Sequence, residues 1–94
     1  MKEHYLITEA KSLFEKHDLV SSLETISAYI VNDKSNAEAL LLRARIHYKM
    51  QHWGDAMNDY YEVLEIDPQN MEAKTGVEMA RNILGYFTPD MFNP

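Results

Sequence analysis

The chain has 94 residues, 46% of them hydrophobic and 26% charged, which suits one compact domain and leaves scant room for the enclosed cavity of a typical enzyme. Fifteen acidic residues against nine basic give a formal net charge of −6, so phosphate backbones and anionic membranes are repelled, and neither nucleic acid nor membrane is expected as a partner. The absence of cysteine rules out a disulfide framework, a thiolate metal site and a cysteine nucleophile.

The opening residues, Met1-Lys2-Glu3-His4-Tyr5, lack the apolar core of a signal peptide, and no stretch approaches the roughly 18 apolar residues of a membrane span. A cytoplasmic location is therefore expected. Only three Gly and three Pro interrupt the chain, and strand-like alternation is absent, so helices should dominate. A first helix pair falls within 3–36, reversing near His17 and closing at Asp33-Lys34-Ser35-Asn36. A second falls within 37–70, reversing at Gln51-His52-Trp53 and closing at Asp67-Pro68-Gln69-Asn70, where Pro68 cannot sit in a helix interior. From Met71 to about Gly85, the residues Ala73, Val77, Ala80 and Leu84 form the single apolar stripe of a fifth helix. Residues 86–94 follow as a tail. Asn36 and Asn70 can cap the helices after them, and Gly76 within the last helix costs about 1 kcal/mol against Ala, which marks that helix as the first to fray.

The two closing turns stand 34 residues apart, and a fixed period in this range signals stacked supersecondary units. Sliding the chain by that interval pairs Leu6 with Leu40, Ala10 with Ala44, Asp33 with Asp67 and Asn36 with Asn70. Similar residues also pair, among them Phe14 with Tyr48, Lys11 with Arg45 and Ile30 with Leu64.

Leu40, Arg43, Ala44 and His47, then Ala56 and Tyr60, then Pro68 follow the spacing W-x2-L-G-x2-Y, A-x3-F, P of the tetratricopeptide repeat. The segment 37–70 thus resembles one complete repeat of that family, departing from it at Arg43 and His47, where Leu and Tyr are usual. The first copy, 3–36, is a divergent match. It keeps Ala10 and the small Ser22 but has Ile26 at the usual aromatic position and Lys34 at the usual proline. Residues 71–85 resemble the leading helix of a third repeat, placed to cap the stack. The resemblance implies an all-α fold over 1–94, an α-α superhelix of antiparallel helix pairs with about five helices. Ala44 and Ala56 then belong where paired helices approach closely, because ridges interlock at 8 to 10 Å only around small side chains.

The resemblance also implies a concave groove lined by one side of each leading helix. The positions that fall there are His4, Ile7, Lys11 and Phe14, then Glu38, Leu41, Arg45 and Tyr48, then Glu72, Thr75, Met79 and Asn82. The expected peptide-binding residues among them are Ile7, Lys11, Phe14, Leu41, Arg45, Tyr48, Met79 and Asn82. Lys11 and Arg45 would hold an acidic side chain or carboxylate of a protein or peptide partner, and the apolar side chains would take its apolar residues. Family members that clamp chaperone tails use cations and asparagines at positions matched here by Ile7, Lys11, Leu42, Glu72 and Gly76. Only Lys11 among these is a cation, so that role is not expected.

No chemistry competes with this reading. Isolated Gly54, Gly76 and Gly85 make no phosphate loop, and neither a nucleophile elbow nor an H-E-x-x-H motif occurs. No two of His4, His17, His47 and His52 share an i, i+4 face, so no metal is expected, and no cofactor or catalytic residue is assigned. Asp55, Asp59, Glu62, Glu65, Asp67 and Glu72 read as a solvated acidic face. The expectation is a non-catalytic protein-interaction module. The alternative is a self-associating scaffold unit, or a piece of a longer array, pairing through apolar ends or through Tyr86, Phe87, Met91 and Phe92 of the tail.

Overall fold

A computed structural model describes residues 3–87 as five α-helices with no strand among them. They are α1 (Tyr5–Glu15), α2 (Leu19–Val31), α3 (Ala37–Lys49), α4 (Trp53–Ile66) and α5 (Met71–Phe87). Each helix packs on the next, and α1 also touches α3. The result is the all-helical stack of hairpins that the sequence leads one to expect. The fifth helix runs to Phe87, so Tyr86 and Phe87 belong to it and not to a tail. The expectations placed on Met91 and Phe92 lie outside the described residues.

Local chemistry explains where each helix begins and turns. His4 Nδ1 accepts from the Leu6 amide at 3.1 Å to start α1. Asn36 Oδ1 accepts from the Ala39 amide at 3.0 Å, and Asn70 Oδ1 from the Ala73 amide at 2.9 Å, so both asparagines cap as their side chains allow. Within both hairpins the turn is the same object. His17 and Gln51 take left-handed φ of 63° and 65°. The next amide, of Asp18 or His52, reaches back to the carbonyl of Leu13 or His47 at 2.9 and 2.8 Å. The amides of His17 and Gln51 bond to Phe14 and Tyr48, completing a Schellman closure in each case.

Small residues sit where the helices cross. Ala10, Ser22, Ala44 and Ala56 are fully buried, and the Ser22 hydroxyl donates to the Ala10 carbonyl at 2.7 Å, tying α2 to the backbone of α1. Around them Ile26, Leu40, Leu42, Ile46 and Val63 fill one continuous core, with Tyr60 and Ala73 extending it to α5.

The departures at Arg43 and His47 have a structural answer in Asp59. This residue is 4% exposed, so it does not belong to the solvated acidic face assigned to it from sequence. Arg43 grips its carboxylate with two bonds of 2.8 Å from Nε and Nη2. His47 Nε2 lies 4.0 Å from the same carboxylate. A polar helix stripe can be buried only against a compensating charge, and α4 supplies it.

Glycine 76 is also explained by packing. It is buried, and a Cβ added there would stand 2.4 Å from Cε2 of Tyr60. The glycine is what lets α5 close onto the Tyr60 ring, so contact with α4 accounts for its place in the helix.

Candidate binding groove

The leading helices α1, α3 and α5 carry the residues named for the groove, and the structure sorts them into three groups. Ile7 is 2% exposed within the core, so it cannot contact a ligand. The reason is periodic: Ile7 and Ala10 lie on the i, i+3 stripe that α1 buries, with Phe14 at its i+7 edge. Phe14 and Leu41 are half-buried and pack against the core. Asn82 is exposed and stands apart from the recess described below.

Lys11 and Arg45 form the second group, and both are already engaged. Lys11 Nζ contacts Glu3 at 2.5 Å and Glu38 at 3.1 Å. Arg45 holds Glu72 with two bonds of 2.5 and 2.6 Å. Each cation reaches an acid 27 residues ahead, on the second position of the next leading helix. The hydrogen bond to Glu3, then that to Glu38, raises the Lys11 pKa. Glu72 is pushed down by its bond to Arg45. A ligand carboxylate would therefore have to exchange with these acids and not simply add to a free cation.

Tyr48 and Met79 form the third group, which the fold does bring together. With Tyr60, Met71, Glu72, Thr75 and Gly76 they line a recess of about 390 Å³ where α5 meets α3 and α4. The floor is the Tyr60 ring, visible only because Gly76 has no side chain. Burial raises the pKa of the Tyr60 hydroxyl, which stays protonated at physiological pH. Trp53 meets the Tyr48 ring edge-on, at 5.0 Å between centroids and 76° between planes, and fixes one wall. Met79 and Met71, 47% and 68% exposed, supply flexible thioether walls. Apolar walls with a few polar atoms at the edge are what a small concave binding site needs.

Sequence reasoning missed Tyr60, Met71 and Gly76 at this site. Tyr60 entered the sequence reading as a position of the repeat spacing, and it also packs in the core between α4 and α5. The usable signal was Gly76 itself: a glycine inside an apolar helical stripe marks a close approach by something large.

The spacing argument that kept the histidines apart also fails for one pair. The left-handed turn at Gln51 folds the start of α4 onto the end of α3, and His47 Nδ1 lies 3.2 Å from His52 Nδ1. Burial lowers the His47 pKa, which favours the neutral ring. No helix among the described residues is long and apolar enough to cross a membrane.

Fold and recess together define a helical-hairpin solenoid with an apolar cleft at its α5 end. No protein-family model matches the chain. Over 78 residues, 83% of its length, it is 30% identical to the DnaJ protein P58IPK homolog B of Oryza sativa subsp. japonica. The chain spans about 17% of that relative.

Proposed function

We propose that this chain is a tetratricopeptide-like, non-catalytic module that binds a protein or peptide segment between its leading helices. In this reading 3–36 and 37–70 are two repeats and α5 caps them. The observation that carries it is the apolar recess of about 390 Å³ lined by Tyr48, Tyr60 and Met79. It takes an apolar side chain of the partner. Buried aromatic and thioether surface supplies the affinity. The paired Lys11 and Arg45 set the polar edge, where an acidic partner group competes with Glu38 and Glu72. Similarity to a segment of a DnaJ protein supports an interaction role and leaves the partner open. Clamping of a chaperone tail is not part of the proposal, because Ile7 and Leu42 are core residues, Glu72 holds Arg45, and Gly76 lies over Tyr60.

The test is selection of displayed peptides on the immobilised chain, repeated with Thr75→Trp, which fills the recess from an exposed position, and with Met79→Glu. Selected peptides should share an apolar anchor and lose binding at least tenfold in both variants. Retention by both variants, with helical content unchanged, refutes the recess. The self-association alternative is tested separately by light scattering at two concentrations, a constant monomer mass removing it.

A further inference from the structure

The pair of histidines at the tip of the second hairpin has a third neighbour. One ring nitrogen from each of His47 and His52 and one carboxylate oxygen of Asp55 lie within 4.8 Å of one another. His47 comes from the last turn of α3, His52 is the N-cap of α4, and Asp55 stands in the first turn of α4. Among the described residues this is the one cluster of three such groups.

From this geometry we infer that His47, His52 and Asp55 form a site for a late first-row divalent cation, with zinc as its natural probe. Two imidazole nitrogens bound to one tetrahedral zinc, each about 2.0–2.1 Å from the metal, must stand about 3.3 Å apart. The Nδ1 atoms of His47 and His52 are 3.2 Å apart. The Asp55 carboxylate lies within 4.8 Å of both rings, and its exposed side chain has room to turn toward a shared ion. Two imidazoles and one carboxylate favour zinc, nickel or copper over magnesium or calcium. The surrounding shell also fits. Metal-bound histidines commonly turn their other ring nitrogen toward a carboxylate, and His47 Nε2 faces Asp59, itself held rigidly by Arg43.

The turn alone does not require these residues. The first hairpin makes the same left-handed reversal with Leu13, Asp18 and Ser21 at the three matching positions. Without an ion, the 3.2 Å contact brings the two ring nitrogens to hydrogen-bonding distance. With three protein ligands the cation keeps a fourth position open at the hairpin tip, reachable by water or by a donor from a partner.

Calorimetric titration of zinc into the metal-free full chain at neutral pH tests this. One ion should bind per chain, and binding should weaken at least tenfold in both His52→Gln and Asp55→Asn. Both positions are exposed and the His52 side chain makes no helix-capping bond, so neither substitution removes core packing. His4→Gln and His17→Gln should leave the affinity unchanged. Zinc should also raise the melting temperature of the parent chain and not that of His52→Gln. Absence of both heat and thermal shift, one ion per two chains, or equal affinity in His52→Gln would each overturn the site.

Discussion

Gly76 lies so close to Tyr60 that a single added carbon would sit 2.4 Å from the ring, inside any permitted contact. Helix propensity alone favours Gly76→Ala by about 1 kcal/mol. Because Tyr60 is 5% exposed and packed in the core, the ring cannot swing clear, and the substitution should instead lower stability in urea unfolding. Gly54→Ala, with nothing within 4 Å, is the matched control and should be neutral or stabilising by up to about 1 kcal/mol. Shortening the ring in Gly76→Ala/Tyr60→Leu should recover part of the loss relative to Tyr60→Leu alone. A higher melting temperature for Gly76→Ala would remove the steric account.

Arg43 and Asp59 should behave as a unit. Arg43→Leu places an apolar residue at this position yet leaves the Asp59 carboxylate buried without its two bonds, so it should destabilise by roughly 2 kcal/mol. Combining Arg43→Leu with Asp59→Leu replaces the pair by apolar groups and should recover most of that loss. Additive losses in this double-mutant cycle would show that the pair is not coupled.

Ser22→Ala installs the residue that Ala56 provides in the second hairpin. It should nevertheless lose about 1 kcal/mol, because the buried hydroxyl bond to the Ala10 carbonyl is removed with nothing to replace it. Equal midpoints in chemical unfolding would show that this bond makes no net contribution.

The Arg45–Glu72 pair predicts an acid-sensitive joint. Glu72 is depressed below its usual 4.5 by the bond from Arg45. A carboxyl with a depressed folded value binds fewer protons when folded, so its contribution is present above the unfolded pKa and lost as pH falls through the folded one. At neutral pH Glu72→Gln should be less stable than the parent by under about 1 kcal/mol, since the pair is solvent-screened. The difference should shrink once pH drops below 4.5 and vanish at the acid end. A difference that is constant between pH 7 and pH 3 would disprove the linkage.

The helices were legible because punctuation and periodicity agree: Pro68, the paired asparagines and the 34-residue offset each mark the same joints. The groove was legible in part. Counting i, i+3 and i+7 tells which side chains share a face of α1 but not which face its neighbour covers, so Ile7 was placed in the groove when α1 buries it. Tyr48 and Met79 line one recess because α5 leaves room beside them. Asp59 was misread because a row of acids looks solvated until an arginine at a core position asks for one. The histidine pair was hidden since pairing across a left-handed turn spans five residues, outside helical arithmetic.

The contacts between neighbouring leading helices follow a spacing rule that says how the molecule could be lengthened. A cation reaches an acid 27 residues on, first from Lys11 to Glu38 and then from Arg45 to Glu72. The third position in that series is Met79, which offers a thioether and no charge. A hairpin grafted after Pro68 with an acid at its second helical position would meet Arg45 as Glu72 does. One grafted beyond α5 would find a thioether where the earlier joints present a cation.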